Sequence, residues 1–586
     1  MKPLRAILCL VLLSLDLPVR AQLPFELPPR PAGPYEIRGV VVDAKTGEPL
    51  SGVELSIQES AQTVNAPFEI IESATNGGFR FANLAAGKYT VRASRQGYAE
   101  QAFLQHENFW TGIAVGPGKD SLHVRFPLSP SATITGVVTD ENGEPVRGAA
   151  VTLWTEEIEN GVRNISGGGV MIADDQGRYR FEYLLAGKYS VSVSAVPWYS
   201  RYTLPQQIAL AERVRLRSQG RPSSHVMGTA ALDGATAFND EETQRALPDA
   251  VYPTVYYPNS RDWHGMGWMS LQAGQVESGD FHLSPEPSAH LHIQWSGNDG
   301  GQQPNVTLLM DLPGEGGNKG IMPTVDSGSG VMEISGIAAG HYRVQEGGGP
   351  ESATEMVEQE IDLSGDAQLK LEETPFSGFP IRGVIRVVEG EPKIEQAYLQ
   401  LKDTRGRRYD AIYNAIYNAN SQEEGRPPGS FQFLNSPSGP QVMELSILQP
   451  ADAVARNIEA KGAKVTGTTI ETDGSQEVSL SVTVAEISNA IEGTALRNGK
   501  PFAGAMILLI PENGKDWERL VRRDQSDSDG TFRLPTIVPG EYALLALERG
   551  WELEWSKPGV LQPFLAKARK LEMGERQIDP VTIEVQ

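Results

Sequence analysis

Three stretches of the sequence carry nearly the same phrase: GEPLSGVELSI at residues 47–57, GEPVRGAAVTL at 143–153 and GKPFAGAMILLI at 499–510. Each phrase follows a run rich in β-branched residues, and each ends in a second apolar run. Glycine permits the positive φ of a tight turn, and proline restrains the chain as it leaves that turn. The phrase therefore predicts a strand, a turn and a second strand.

A second hairpin pattern follows each of these phrases. It reads FRFANLAAGKYTV at 79–91, YRFEYLLAGKYSV at 179–191 and FRLPTIVPGEYAL at 532–544, and weaker copies of both hairpins occupy 290–344 and 381–447. The glycine before the last strand stands at 87, 187, 340, 439 and 540, at intervals of 100, 153, 99 and 101 residues. A unit of about 100 residues with short alternating strands is typical of an antiparallel β-sandwich. The sequence therefore predicts an all-β tandem array of about five antiparallel β-sandwich domains.

The glycine, proline and aromatic positions of residues 37–129, 132–193 and 491–547 resemble the carboxypeptidase regulatory-like domain. The third unit lacks the first glycine phrase, and the fourth has Gly439-Pro440-Gln441 where the others have Gly-x-Tyr, so these two match loosely. The resemblance implies a transthyretin-like, carbohydrate-binding-like β-sandwich of the kind common in exported bacterial proteins. The family's shared residues are turn and core positions, so the resemblance implies no catalytic residue.

The repeats divide the chain into a series of predicted domains. Because the period exceeds that of solenoid repeats, each domain is expected to have its own core, in an arrangement like beads on a string. The predicted divisions are a signal peptide at 1–21, a Pro-rich linker at 22–36, and β-sandwiches at 37–130, 131–285, 286–375, 376–486 and 487–586. Residues 556–573 are predicted to form one short helix within the last domain.

The first 21 residues have the features of a secretory signal peptide. Lys2 and Arg5 precede an apolar run at 6–15, and small residues precede the expected cleavage before Gln22. The single cysteine, Cys9, lies in this segment, so the mature chain is expected to have neither disulfides nor thiolate chemistry. No later stretch is apolar enough for a transmembrane helix, which predicts a periplasmic or secreted protein. The formal net charge of −23 argues against nucleic acid as a partner.

The 153-residue interval indicates an insertion in the second domain, at about 200–249, which is predicted to be a mobile loop. Aromatic residues cluster at both of its ends. Flat apolar rings with polar edges are suited to stacking on sugars, but they could equally cover the open end of the sandwich and hold the loop. The candidate ligand-stacking residues are Trp198, Tyr199, Tyr252, Tyr256, Tyr257, Trp263 and Trp268.

The sequence contains no recognisable catalytic motif. None of the eight histidines has an acidic residue three positions later, which a zinc carboxypeptidase site would need, and there is no nucleophile elbow or phosphate-binding loop. The acidic stretch DQSDSDG at 524–530 does not fit an EF-hand and is predicted to be a polar hairpin turn. We therefore predict a non-catalytic binding or scaffolding protein of the cell envelope, without cofactor or metal. The expected partner is another envelope protein, or a carbohydrate bound by the aromatic cluster.

Overall fold

The computed structural model describes most of the chain from residue 32 onward. The described residues are 32–60, 69–200, 248–295, 306–314, 318–321, 324–326, 331–346, 357–371, 379–388, 396–403, 408–410, 429–436, 439–449, 453–466, 469–472, 477–486, 489–512, 520–574 and 578–586. The predicted signal peptide, most of the Pro-rich linker and residues 201–247 of the predicted insertion lie outside these ranges.

The described residues form five successive β-sandwiches, which confirms the all-β tandem array. The first domain contains β1 (Ala32–Asp43), β2 (Glu54–Glu59), β3 (Glu69–Glu72), β4 (Gly78–Leu84), β5 (Gly87–Ser94), β6 (Gln101–Ala102), β7 (Ile113–Val115) and β8 (Val124–Leu128). One sheet has the order β4-β1-β8, in which β1 is antiparallel to β4 and parallel to β8. The other has the order β3-β2-β5-β6, and β7 also pairs with β5.

The second domain has the same topology with additional short strands. Its strands are β9 (Ala132–Thr139), β10 (Ala150–Glu159), β11 (Val162–Ile172), β12 (Arg178–Leu184), β13 (Gly187–Ser194), β14 (Ala250–Val251), β15 (Val255–Tyr256), β16 (Met269–Leu271), β17 (Val276–Ser278), β18 (Phe281–His282) and β19 (Glu286–Pro287). The central strand β9 is antiparallel to β12 and parallel to β17 and β18. A 3₁₀ turn covers Trp263–Gly265.

The third and fourth domains keep this arrangement although their sequences diverge. The third contains β20 (Ala289–Trp295), β21 (Val306–Asp311), β22 (Asn318–Ile321), β23 (Thr324–Asp326), β24 (Val331–Ile337), β25 (Gly340–Glu346), β26 (Val357–Leu363) and β27 (Ala367–Leu371). The fourth contains β28 (Phe379–Val387), β29 (Gln396–Asp403), β30 (Arg408–Asp410), β31 (Ser430–Ser436), β32 (Gly439–Gln449), β33 (Ala453–Lys461), β34 (Lys464–Thr466), β35 (Thr469–Thr472) and β36 (Val478–Glu486). In each, the first strand pairs antiparallel with one neighbour and parallel with the domain's last strand.

The fifth domain repeats the topology of the first. Its strands are β37 (Ile491–Arg497), β38 (Lys500–Pro501), β39 (Met506–Pro511), β40 (Arg522–Gln525), β41 (Thr531–Leu534), β42 (Gly540–Leu547), β43 (Arg569–Met573) and β44 (Val581–Glu584). The predicted helix at 556–573 is wrong for most of its length: helix α1 covers only Gln562–Leu565, after a 3₁₀ turn at Gly550–Glu552. The end of the segment is strand β43, because it pairs with β42 and buries Met573 in the core.

A glycine on the central strand faces an aromatic ring in four of the domains. The pairs are Gly39 with Phe79, Gly136 with Tyr179, Gly383 with Phe431 and Gly493 with Phe532. A Cβ at any of these glycines would overlap the facing ring, which explains why the central strand needs glycine there. In the third domain the same register position pairs Ile293 with Met332, so a larger residue on β20 faces an unbranched, adaptable side chain on β24.

The tyrosine of the second hairpin closes the corner that precedes its strand. Its hydroxyl donates to the carbonyl oxygen four residues earlier in four domains, at 2.8–3.0 Å, from Tyr89, Tyr189, Tyr342 and Tyr542. The rings lie in the cores, so one side chain fills apolar space and satisfies a backbone acceptor. In the fourth domain Gln441 occupies this position and is also buried.

The expectation of beads on a string is wrong for the first and last domains. Residues separated by more than 400 positions form hydrogen bonds between them, including Thr111 Oγ1 to the Ser526 carbonyl at 3.1 Å. The hairpin of β10 and β11 in the second domain also contacts the fifth, where Ser556 donates from its backbone N–H to the Gly161 carbonyl at 3.1 Å. The chain therefore returns on itself, and the first, second and fifth domains pack against one another.

Candidate functional site

The predicted aromatic residues lie in three different places. Tyr199 and Tyr252 share one carboxylate: their hydroxyls donate to Glu141 at 2.6 and 2.9 Å. Burial and the bond to Glu141 raise the pKa of Tyr199 to about 12 and raise the pKa of Tyr252 further. Burial opposes ionisation of Glu141, but the two hydroxyls outweigh it and its pKa is lowered. These two tyrosines link the ends of the insertion to the turn after β9.

A second group of the predicted residues packs inward at the edge of the second domain. Tyr256 is buried with Trp154 and Met266, and Trp263 and Trp268 are partly buried against them. Leu312 of the third domain joins the same apolar cluster. These rings therefore contribute to the contact between the second and third domains.

The remaining two residues have opposite environments. Tyr257 is partly buried against the core of the second domain. Trp198 is 79% exposed and contacts Tyr199 edge-to-face, with ring centroids 5.6 Å apart. The structure thus does not bring the seven residues together on one surface, and Trp198 is the one with a largely exposed ring.

The aromatic segment before β16 in the second domain occupies the same place in its sandwich as the segment before β7 in the first. In the first domain β7 pairs with β5 in the register Tyr89 to Ile113, and in the second β16 pairs with β13 in the register Tyr189 to Met269. The chain before β7, residues 103–112, contacts the fifth domain. The chain before β16 contributes Met266 to the apolar cluster against which Leu312 of the third domain packs. The same position in the sandwich therefore carries an interdomain contact twice.

Arg523, at the start of the fifth domain's edge strand, lies at the centre of the contact between the first and fifth domains. Its guanidinium donates to both oxygens of Glu107 at 3.1 and 3.0 Å and to Asn160 of the second domain at 2.7 Å. It lies over the rings of Phe109, Trp551 and Trp555 at 5.0–5.9 Å, where cation–π attraction adds to the ion pair. One side chain thus connects three domains.

The turn that follows β40 supplies the rest of this contact. The backbone N–H of Gly112 donates to Asp527 at 2.8 Å, and the N–H of Ser528 donates back to the Gly112 carbonyl at 2.9 Å. Lys88 forms an ion pair with Asp527, and Lys119 forms one with Asp529 at 2.6 Å. Both main-chain hydrogen bonds and ion pairs therefore hold this turn against the first domain.

Burial raises the pKa values of three carboxyl groups at this contact, whereas at Asp529 burial is outweighed by Lys119 and Thr531 and the pKa is lowered. Burial raises the pKa of Asp524 to about 6, although the N–H groups of Arg533 and Gln525 oppose the shift. Burial also raises the pKa of Asp527 against the attraction of Lys88, and that of Glu107 against the attraction of Arg523. The polar hairpin turn predicted at 524–530 is thus the surface on which the first domain lies. Its density of charge was the signal available in the sequence, but nothing there indicated the partner.

The described residues show no cluster of three or more histidine, cysteine or acidic side chains placed to hold a metal. His290 instead bonds to Asp249 at 2.8 Å and lies 3.5 Å from Glu333, next to the start of the third domain. No helix among the described residues is long and apolar enough to cross a membrane.

The family comparison agrees with the repeated phrase and the shared topology. Residues 36–129 and 133–217 match the model of the carboxypeptidase regulatory-like domain. Two of the five domains are carboxypeptidase regulatory-like domains. The fifth, outside the matched ranges, has the same central strand order as the first regulatory-like domain, with an antiparallel and a parallel partner on either side. No protein of curated function matches the chain by sequence.

Several solved structures share a weak likeness with this chain. The streptococcal ancillary pilin is 14% identical over 51% of this chain and 98% of its own, with a TM-score of 0.17. The Bacillus anthracis TIE protein is 12% identical over 75% and 68%, with a TM-score of 0.13. The major pilin subunit of Bacillus cereus is 14% identical over 51% and 98%, with a TM-score of 0.15. Similarities this low carry no argument about function.

Proposed function

We propose that this chain is a non-catalytic, exported scaffolding protein of the cell envelope that presents binding surfaces on a partly closed array of β-sandwiches. The observation that carries the proposal is the contact between the first and fifth domains. It holds three domains in a fixed arrangement through Arg523 and the turn at 526–529. A scaffold holds its binding surfaces at fixed distances from one another, whereas in a flexible array those distances would vary.

The closed arrangement can be tested by cross-linking. The chain beginning at Gln22 contains no cysteine, so Lys119→Cys with Asp529→Cys introduces one thiol on each side of an ion pair. A short bis-maleimide should join them and close a loop of about 410 residues, so the denatured product should migrate faster on a gel. The control pair, Lys119→Cys with Lys464→Cys, places the second thiol in the fourth domain and should not cross-link. Equal cross-linking in both pairs, or in neither, would contradict a fixed closed arrangement.

Export is tested separately, by expression of the full chain in a bacterial host and fractionation of the cells. The predicted cleavage gives a mature protein that begins at Gln22 and is recovered outside the cytoplasm. Recovery of the intact N-terminus in the cytoplasm would remove the envelope part of the proposal.

A second candidate function is carbohydrate binding by the second domain. Its support is that Trp198 is 79% exposed and Trp263 partly exposed, although aromatic rings of this size are usually largely buried. Exposed indole rings provide apolar faces suited to sugar rings.

A further inference from the structure

A cleft opens beside Trp263, at the junction of the second and third domains. Its volume is about 440 Å³, within the range of about 300–1,000 Å³ typical of small-ligand sites. One wall is the tip of the β10–β11 hairpin, residues 159–165. The other walls are Trp263 of the second domain and Gly314 of the third. Ligand sites occur preferentially at domain junctions, and this one adjoins the contact with the fifth domain as well.

The polar groups of the cleft are already oriented by their neighbours. Arg163 is held by ion pairs with Glu156 and with Glu554 of the fifth domain, the latter at 3.3 Å. Asn160 accepts a hydrogen bond from Arg523, and Asn164 accepts one from its neighbour's backbone N–H at 2.9 Å. Side chains fixed in this way lose little conformational freedom when they bind a ligand.

The balance of charge favours a neutral ligand. The two carboxylates that pair with Arg163 each pair with a lysine as well, Glu156 with Lys188 at 2.9 Å and Glu554 with Lys557 at 2.7 Å. Glu159 adds one negative charge to the lining, so the positive and negative charges around the cleft cancel. An anion or a cation would have to compete with ion pairs that are already formed. The cleft therefore offers amide, carboxylate and guanidinium groups to a ligand that carries both donors and acceptors but no net charge.

The apolar part of the lining provides a flat surface. Trp263 is partly exposed, and His264 stacks on its indole with centroids 3.8 Å apart. Val162 is 44% exposed at the opposite wall. The indole N–H of Trp263 is buried and has no hydrogen-bond partner among the described residues, so what Trp263 offers to the cleft is part of its ring and not this donor.

We infer that this cleft is a saccharide-binding site for one or two sugar units, with Trp263 as the stacking platform. Hydroxyl groups provide the neutral donors and acceptors that the polar wall matches, and the apolar face of a sugar ring matches an indole. This inference rests on the second candidate function, and it places the site in the cleft and not around the exposed ring of Trp198.

Isothermal titration calorimetry of the mature chain tests the inference. The probes are glucose, galactose, mannose, N-acetylglucosamine and the β-1,4-linked disaccharides of glucose and of N-acetylglucosamine. At least one should give saturable binding. Val162→Trp fills the cleft from an exposed position and should weaken that binding at least about tenfold, as should Trp263→Ala. The matched control, Tyr183→Ala, removes a 55% exposed ring of the same domain and should leave the affinity unchanged.

Each alternative result has a distinct meaning. Absence of binding for every probe overturns the saccharide site, while the cross-linking of the first and fifth domains still decides the scaffold proposal. Loss of binding in Trp198→Ala with retention in Val162→Trp overturns the location and moves the site to the exposed ring. Because Trp263 also packs in the apolar cluster with Leu312, Val162→Trp is the deciding variant if Trp263→Ala does not fold.

Discussion

Substitution of Arg523 by alanine should release the first domain from the fifth. The side chain of Arg523 is 9% exposed and that of Glu107 17%, so the variant leaves a nearly buried carboxylate without its partner. Breaking such a pair by removing one member costs about 3–5 kcal/mol, and the stacking on Phe109, Trp551 and Trp555 is lost as well. We expect the free energy of docking between the two domains to fall by at least about 3 kcal/mol.

Hydrogen exchange measures this change at the contact itself. The amides of Gly112, Ala114 and Ser528 donate across the interface, so their exchange reports its opening. A loss of about 3 kcal/mol should speed their exchange by about 100-fold or more. Amides inside the sandwich cores, such as that of Val91, should be unaffected.

A matched control variant and a second substitution test whether the buried ion pair holds the two domains together. Arg549→Ala removes a 76% exposed arginine whose partner is Glu552 on the surface, and it should change exchange by no more than a few fold. Glu107→Gln added to Arg523→Ala removes the stranded charge and should recover part of the loss. If Arg523→Ala exchanges like Arg549→Ala, or if the second substitution makes the loss larger, the buried ion pair is not what holds the domains together.

Three further predictions concern the fifth domain, each measured by its thermal or denaturant unfolding. Gly493→Ala should destabilise it by about 3 kcal/mol or more, because the new Cβ overlaps the Phe532 ring, and an unchanged midpoint would contradict this packing. Tyr542→Phe should cost about 1 kcal/mol through loss of the bond to the Val538 carbonyl, and a neutral effect would show that this bond is dispensable. The raised pKa of Asp524, about 6, means that its charged form opposes folding above that pH, so stability should rise by about 1–3 kcal/mol from pH 7 to pH 4 through this group. Asp524→Asn should flatten that part of the pH profile, and an unaltered profile would contradict the assignment.

Control substitutions exist in the same chain. Gly574→Ala places a Cβ where no atom lies within 4 Å and should be nearly neutral. Tyr183→Phe alters a 55% exposed ring and should cost little. Asp174→Asn should have the opposite pH effect to Asp524→Asn. The backbone N–H of Arg178 lowers the pKa of Asp174, so its stabilisation is present above pH 4 and is lost as the pH falls through the folded-state pKa.

Much of the fold could be predicted because its determinants are local in the sequence. The turn glycines, the alternation of apolar residues and the tyrosine of the second hairpin each act within one domain. Even the divergent third domain kept its spacing, because Ile293 and Met332 together replace the glycine and the aromatic ring. The end of the fifth domain was predicted less well, because residues 569–573 form a strand by pairing with β42, and that pairing is not local.

The candidate site was harder to predict because its contacts join distant segments. The aromatic residues near the insertion were identified by composition, but whether a ring is exposed depends on what the third domain places against it. Leu312 of the third domain packs against the same apolar cluster as Trp263, whereas Trp198 is 79% exposed. Arg523 carried no sequence signal, since its hydrogen-bond partners in the other domains lie more than 300 residues away.

The same hairpin turn occurs in the first, second and fifth domains, at 74–77, 174–177 and 527–530, and its last two copies show what the sequence and the tertiary structure each decide. Asp174 and Asp527 begin equivalent hairpin turns, and both accept a backbone N–H from the glycine three residues later. The sequence alone determined that turn, because the glycine at its fourth position supplies the positive φ that the turn requires. Only the tertiary structure decided the direction of the pKa shift: the pKa of the exposed Asp174 is lowered, and that of Asp527 is raised because the first domain buries it. The hydration of each carboxylate depends on whether another domain covers the turn. For Asp527 the covering segment of the first domain lies some 400 residues away in the chain.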